Sequence, residues 1–317
     1  MDSTVRQSKF TVSGSELSSP LVTVVIPVYN GAAFVTDAIE SVLRQKAARL
    51  ELVVVDDGST DETPQILSDF GDRICTLRQA NRGLSAARNV GIRSASGEFL
   101  VFLDADDLLP DGYVQRFSEA AAQSPEAEVF HCGWQAVDFE GHPLYGNETP
   151  LPLDADPFHQ ILLTGSPPID ALFLRRSVLP RVGMFDESLA LQEDWDFWLR
   201  LAVSGARFQG VPGNVAIVRR HSSSMSRQAG SALALTGLDV LERQLARHPA
   251  SCSSCTGARG LAMWRRTALR TSARAITRQL GLSGRPGRWI AVALAVARTP
   301  RLLPAALDEL RQRQLVT

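Results

Sequence analysis

Apolar and polar positions alternate in two registers along this chain. Short continuous apolar runs stand at Leu21-Val22-Thr23-Val24-Val25-Ile26-Pro27-Val28-Tyr29, at Glu51-Leu52-Val53-Val54-Val55 and at Phe99-Leu100-Val101-Phe102-Leu103. Runs of this length, rich in β-branched and aromatic residues, predict strands covered on both faces, as in a parallel sheet. Pro27 fits only near a strand end or edge. Between the runs the spacing turns helical. Residues 32–46 place Phe34, Ala38, Ile39, Val42 and Leu43 on one face, after a turn at Asn30-Gly31. Helices are also predicted to about Phe70, with Ser59 or Thr60 as N-cap, and over 84–94; a short strand is predicted over 73–77. This β-α-β-α-β-α-β order implies an α/β fold with right-handed crossovers.

The second half is less regular. A helix is predicted over 111–123, with Asp107 a candidate cap, and a strand over 128–139 ending in the turn Glu140-Gly141-His142-Pro143. Residues 144–157 are Pro-rich and predict a surface loop. Strands are expected over 169–174 and 213–220. Over 192–204, Trp195, Trp198, Leu199 and Ala202 recur at i, i+3, i+4, i+7, the spacing of one helix face. Beyond Ser226 the pattern is helical and arginine-rich.

Length and composition then limit the picture. With 317 residues, 44% of them hydrophobic, the chain can bury one large domain and an appendage. Residues 1–19 read as a disordered leader without the apolar core of a signal peptide. No apolar run reaches the roughly 18–20 residues that span a bilayer. Four cysteines in such a chain do not suggest a disulfide framework, and Cys252 and Cys255 read as loop cysteines. These features predict a cytoplasmic protein. The net charge of −1 hides an asymmetry. Residues 230–317 hold fourteen arginines and no lysine against four acidic side chains, a net of +10, so the rest carries −11.

The candidate chemistry lies just past the third apolar run. Asp104, Asp106 and Asp107 crowd three carboxylates into four residues, and no Lys or Arg lies between Phe99 and Asp111. Open α/β sheets bind ligands at the carboxyl ends of their strands. A hard cation such as Mg²⁺ or Mn²⁺ would relieve the crowding, and phosphates accompany such ions. By itself the Asp-Ala-Asp triplet fits a solvated acidic turn equally well. Neither GxGxxG nor GxxxxGK[ST] stands at the first turn, so neither a dinucleotide fold nor a P-loop is indicated.

Five motifs in fixed order decide between these readings. They are Thr23–Gly31, Val55-Asp56-Asp57-Gly58-Ser59-Thr60-Asp61, Asn81-Arg82-Gly83-Leu84-Ser85-Ala86-Ala87-Arg88-Asn89, Leu103-Asp104-Ala105-Asp106-Asp107 and Glu193-Asp194-Trp195-Asp196-Phe197-Trp198-Leu199-Arg200. Together they resemble the family 2 glycosyltransferases over residues 20–226. The resemblance implies the GT-A fold, a Rossmann-like and mostly parallel sheet flanked by helices, with residues 227–317 as a C-terminal helical appendage. It implies a nucleotide-sugar donor, a glycan or lipid-linked acceptor, no nucleic acid, and inversion at the anomeric carbon. Pro27 and Tyr29 would flank the nucleotide, Asp57 would accept from the base, and Arg88 would meet the diphosphate. Asp104 and Asp106 match the DXD motif: Asp106 would bind the metal directly, and Asp104 would serve metal and ribose. Asp194 would be the base, oriented by Glu193, and His221 would reach the metal or diphosphate. A nucleotidyltransferase is disfavoured by the missing Gly-rich loop. The surviving alternative is an inactive sugar-nucleotide-binding or scaffold protein. The Gln/Arg-x-x-Arg-Trp motif of processive synthases is absent from 207–227.

The resemblance is silent on the tail. Leu261, Trp264, Ala268, Leu269, Ile276 and Leu280 recur at helical spacing, and Arg266, Arg270, Arg274 and Arg278 recur every fourth residue. An apolar stretch from Trp289 to Ala297 follows. Residues 259–298 therefore suit either packing against an acidic surface or peripheral contact with an anionic membrane.

Overall fold

The computed structural model describes residues 21–46, 49–153, 155–221, 231–248 and 284–307, with five single positions between 262 and 273. Contacts divide the chain into two units, residues 1–160 with 165–221 and residues 161–164 with 222–317.

In the first unit the apolar runs become β1 (Val22–Val28), β2 (Leu50–Asp56), β3 (Cys75–Arg78) and β4 (Phe99–Phe102). Helices α1 (Val35–Leu43), α2 (Thr63–Asp69) and α3 (Leu84–Ser94) connect them. Next come α4 (Tyr113–Gln123), β5 (Val129–Val137), β6 (Pro143–Asn147), α5 (Pro157–Thr164, whose residues 161–164 belong to the second unit), β7 (Leu172–Arg175), α6 (Leu179–Val182), α7 (Glu193–Val203) and β8 (Phe208–Arg219). One sheet runs β3-β2-β1-β4-β7-β5-β6, with β8 on β5. β3, β2, β1 and β4 are parallel, as the alternation requires; β7 then pairs antiparallel with both β4 and β5. Pro27 is tolerated for a specific reason. β4 stops pairing with β1 at Phe102, opposite Val25, and Leu103 donates to the Val25 carbonyl. The nitrogen of Pro27 faces that same side, past the last ladder bond.

The core lies on both faces of this sheet. Phe173 stacks on Phe117 with ring centroids 5.0 Å apart and on Phe99 at 4.7 Å, and meets Phe130 edge-on at 6.1 Å. Helix α7 is buried beyond the single predicted face. Phe197 and Leu201 are as inaccessible as Trp195 and Trp198, because Phe197 stacks on Phe185 at 4.4 Å and meets Phe102 edge-on.

Several elements depart from expectation. β6 runs from Pro143, the last residue of the expected turn, into the expected surface loop of 144–157, exposed along its whole length. It is held by pairing with β5 rather than by burial, so hydropathy carries no trace of it. Residues 169–171 form a 3₁₀ turn before β7. β8 begins at Phe208, five residues early, since Phe208-Gln209-Gly210 pairs with Val129–His131 before a bulge restarts the register at Val215. Neither Ser59 nor Thr60 caps α2, which starts after Glu62; the Ser59 hydroxyl accepts from the Asn30 N–H instead. Asp107 caps no helix either: α4 starts after Gly112, and the Asp107 carboxylate accepts from the Arg219 N–H at 2.7 Å.

The second unit contains α8 (Ser231–Arg247) and α9 (Gly284–Arg298), followed by a 3₁₀ turn at Pro300–Leu302. Its small core is built mostly of alanine, with Ala234, Ala291, Ala295 and Ala305 around Leu238 and Leu302. The Trp289 to Ala297 stretch thus buries Ala291 and Ala295 within its own unit. Acidic partners come from this unit as well. Arg301 pairs with Asp239, and Arg265 meets Glu242 at 3.1 Å. Arg266 is half-buried and Arg270 exposed. Residues 1–19, Cys252, Cys255, Leu261, Trp264, Ala268, Leu269, Arg274, Ile276, Arg278 and Leu280 lie outside the described residues. Among the described residues no helix is long and apolar enough to cross a membrane.

Helix α3 packs on β1 at Gly91, where a Cβ would sit 2.2 Å from Val25 Cγ1. Gly91→Ala should therefore destabilise the fold by about 1–3 kcal/mol in urea denaturation, since overpacking outweighs the gain in helix propensity. Adding Val25→Ala should recover part of that loss.

Candidate active site

The carboxyl ends of β1, β2 and β4 converge on one cleft, and their turns are laced together by short polar side chains. Asn30 adopts a left-handed conformation (φ 50°), and its side-chain oxygen accepts from the Thr60 N–H at 2.8 Å. The Gly31 N–H donates to Thr63 Oγ1 at 2.9 Å and the Ala32 N–H to Asp61 Oδ2 at 3.1 Å. The β1 and β2 turns consequently fold as one piece. Pro27 is buried at this edge, and Tyr29 projects beyond it, 50% exposed.

Asp57, at the end of β2, is buried and already engaged. Oδ1 accepts from Gln79 Nε2 at 2.6 Å and from the Arg82 N–H at 2.9 Å, while Oδ2 accepts from the Gly83 N–H at 2.8 Å. The residue predicted to read a base thus also shapes the loop that opens α3. Its neighbour Asp56 accepts from the Ser59 N–H and pairs with Arg78 at 3.2 Å.

Arg88, one turn into α3, is 1% exposed. Its guanidinium donates through NH2 to Asp104 Oδ1 at 2.6 Å and through NH1 to Glu193 Oε1 at 2.8 Å, and it lies 5.2 Å from the Phe185 ring centroid. Burial opposes its charge, yet Asp104 and Glu193 hold Arg88 more firmly protonated than a free arginine. Both terminal nitrogens of the predicted diphosphate contact therefore each engage a carboxylate.

The turn after β4 is held from several sides. The Asp104 N–H donates to Asp170 Oδ1 at 2.8 Å, and Arg219 Nε donates to the Asp106 carbonyl. Arg219 also reaches Asp37 Oδ2 at 2.8 Å. His221 Nε2 lies 2.7 Å from Asp106 Oδ2, and its ring packs on Phe34 with centroids 4.7 Å apart. Asp106 and His221 thus meet each other directly, while Asp104 is gathered with Asp107 and Asp170, one oxygen of each lying within 4.8 Å of the others. Burial, then repulsion from Asp104, pushes Asp170 up to about 8. Burial, then Asp170 and the neighbouring carboxylates, raises Asp107 as well. These are oxygen donors short of positive charge, a set that fits a hard divalent ion.

Two contributors escaped the sequence reading. Arg219 fell inside the strand expected over 213–220. Asp170 stood inside the apolar run Ile169-Asp170-Ala171-Leu172-Phe173-Leu174, where a buried acid is costly unless satisfied; that mismatch was its available signal.

Glu193 and Asp194 open α7 after Gln192, which is left-handed (φ 63°). Acidic residues in a first helical turn suit the macrodipole, but Glu193 is turned to Arg88 and Asp196 to Arg200 at 2.7 Å. Asp194 is half-buried, and one oxygen accepts from the Trp195 N–H. Burial, then the Glu193 charge, pushes its carboxyl up to about 7.

A sheet with parallel strands on one side, carboxylates at the strand ends and a Glu-Asp pair opening a later helix is the GT-A architecture. It is shared, at 21% identity, with Staphylococcus aureus TarS 1–349 in complex with UDP-GlcNAc (TM-score 0.58, covering 90% of this chain and 83% of that one). It is shared likewise with the mannosyltransferase PcManGT of Pyrobaculum calidifontis, in complex with GDP-Man and Mn²⁺ (TM-score 0.59, 21% identity, 96% and 91% covered). The sequence model of glycosyl transferase family 2 matches residues 23–179. An uncharacterized glycosyltransferase of Nostoc sp., alr2836, is 32% identical over 225 residues, 67% of this chain and 68% of its own. The chain belongs to glycosyl transferase family 2. A second relative, RT0329 of Rickettsia typhi, is 33% identical over 199 residues, and the match spans 61% of its length.

Replacing Arg88 with Met should cost on the order of 3 kcal/mol in urea denaturation, because it strands Glu193 and Asp104. Arg88→Lys should recover only part of this, since one ammonium cannot fork to both carboxylates.

Proposed function

We propose that this protein is a metal-dependent, inverting glycosyltransferase. It moves one sugar from a nucleoside-diphosphate sugar, UDP- or dTDP-linked, to a hydroxyl of a glycan or lipid-linked acceptor in cell-surface polysaccharide synthesis. The observation that carries this reading is the Arg88 bridge. One buried guanidinium ties the donor-side Asp104 to Glu193, beside Asp194, so the two halves of the chemistry sit on one rigid connection.

In the reaction the acceptor oxygen forms a bond to the anomeric carbon on the face opposite the diphosphate. The carbon–oxygen bond to the diphosphate breaks, and its electron pair leaves with the nucleotide. The hydroxyl proton goes to Asp194, whose raised carboxyl can hold it. Glu193, fixed by Arg88, keeps the base in place. Tyr29 and Pro27 flank the nucleoside, and Asp57, with one lone pair left on Oδ2, accepts from the base. Asp106, Asp104 and His221 are the residues that would hold Mg²⁺ or Mn²⁺, with Asp107 and Asp170 beside Asp104. Bound there, such an ion offsets charge developing on the departing diphosphate. The TarS complex with UDP-GlcNAc and the PcManGT complex with GDP-Man and Mn²⁺ support this class of donor and ion. The site works at the cytoplasmic face, and residues 259–298 serve either as a packing element or as a peripheral contact with anionic membrane, which salt-dependent vesicle binding separates.

Asp106→Asn should keep the fold and abolish metal-dependent hydrolysis of nucleotide sugars in a donor screen; near wild-type turnover would remove Asp106 from the metal set. For Asp194→Asn, calorimetry should show near-normal UDP and Mn²⁺ binding while transfer falls by about two to four orders of magnitude. A base with a carboxyl near 7 is protonated and idle below that pH. Wild-type kcat/KM should therefore rise about tenfold per pH unit up to pH 7 and then level, a limb the Asn variant should lack. Co-sedimentation with phosphatidylglycerol vesicles should weaken with salt and with Arg266, Arg270, Arg274 and Arg278 all changed to Gln.

A further inference from the structure

Beside the carboxylate cleft the structure presents a second surface to which no part of the donor chemistry lays claim. Seven large apolar side chains stand exposed among the described residues, and three of them, Phe139, Leu144 and Tyr145, fall within seven residues on the β5–β6 hairpin. Phe139 is 51% exposed, Leu144 51% and Tyr145 56%. Exposed apolar groups gathered in this way mark an interaction site.

The aromatic rings are buttressed. Tyr145 packs edge-on against Trp134 with centroids 5.8 Å apart, and the Arg220 guanidinium lies 5.9 Å from its ring. Phe139 packs on Phe34 at 5.4 Å and on His221 at 5.9 Å. The strand beneath is fixed too: β6 crosses β5 so closely at Gly146 that a Cβ would lie 2.3 Å from the Trp134 carbonyl oxygen. The inner end of the surface is continuous with the site already described, because the His221 ring that touches Phe139 also holds Asp106 at 2.7 Å.

The polar groups around the rings indicate what would lie on them. The hairpin carries Asp138, Glu140 and Glu148, with Asp138 turned to His142 at 3.1 Å and Glu148 accepting from Gln135 at 3.1 Å. Three carboxylates against the single guanidinium of Arg220 leave this rim net acidic, which disfavours an anionic lipid surface or a polyanion. It suits a neutral solute with an apolar C–H face to lie against a ring and hydroxyls to meet carboxylates and amides. A pyranose has that form.

We propose that the β5–β6 hairpin is the acceptor platform and that it seats a neutral pyranose of a glycan on Tyr145 and Phe139; this rests on the glycosyltransferase reading of the adjoining cleft. The probes are a panel of neutral gluco-, galacto-, manno- and N-acetylglucosamine-configured disaccharides, followed by saturation-transfer NMR, and UDP with Mn²⁺, followed by calorimetry on the same full-length chain. At least one disaccharide should bind wild type. Its affinity should fall about tenfold or more in Tyr145→Ala and in Phe139→Ala, the loss of one stacked ring, and stay near normal in Tyr145→Phe. UDP binding and the thermal midpoint should not change in Tyr145→Ala. A panel that fails to bind wild type, a Tyr145→Ala chain that binds it undiminished, or phosphatidylglycerol vesicles whose binding depends on Tyr145 would overturn the platform. Disaccharide binding through Tyr145 without UDP binding would support the platform and overturn the donor reading.

Discussion

One guanidinium holds the candidate active site together. Arg88 is withdrawn from water and shared between Asp104 and Glu193, carboxylates from opposite sides of the cleft. Removing an arginine from water is costly, and the cost is offset only where geometry and hydrogen bonding are good on both sides. The planar fork supplies that geometry; a lysine would have to choose one partner. Without the bridge, Asp104, Glu193 and Asp194 would face one another with no intervening positive charge. The placement of the carboxylate turn relative to α7 follows from this contact.

The other acids of the cleft are each matched to a different kind of partner. Asp56 has Arg78, Asp57 has two backbone N–H groups and a glutamine, and Asp106 has His221. Asp107 and Asp170 accept backbone N–H donors from Arg219 and Asp104 and hydrogen-bond to one another, and among the described residues neither forms an ion pair with a cation. A hydrogen bond from a neutral amide offsets far less of a buried charge than a cation does, so the unrelieved charge collects at these two. It lies against Asp104, the first acid of the DXD turn. The local deficit of positive charge is a property of the arrangement, and no single acid accounts for it.

Much of this was legible in the chain. Continuous apolar runs and Gly- or Asp-rich turns marked β1, β2 and β4, because burial on both faces leaves a strong hydropathy trace. The five motifs marked the cleft, because each stands at a strand end or helix start that the alternation had already located. What could not be read is held by pairing rather than burial. β6 is exposed throughout and was expected as loop, and the first residues of β8 are defined by their register on Val129–His131. Ser59 and Asp107 looked like helix caps because cap chemistry is local. Their actual partners, Asn30 and Arg219, come from other turns of the fold. Asp170 lay hidden inside an apolar run, and the ion pairs of Arg88 with Asp104 and Glu193 join segments 16 and 105 positions away, which no local pattern reports.

The clasp of β8 on the carboxylate turn also bears on how the protein is made. Arg219 grips the Asp106 carbonyl across 113 positions of sequence and His221 grips its carboxylate across 115, while Arg88 finds Glu193 across 105. Contacts of such long range close late, since loop entropy must be overcome before they form. A ribosome that has extruded everything through β7 has therefore delivered the DXD turn without Glu193, Asp194, Arg219 or His221. The nascent chain passes through a stage in which the sheet can exist and the cleft cannot. Asp57 and Asp104 can already meet Gln79 and Arg88 at that stage, but Asp106 and Asp107 still lack His221 and the Arg219 N–H, which arrive only with the end of β8.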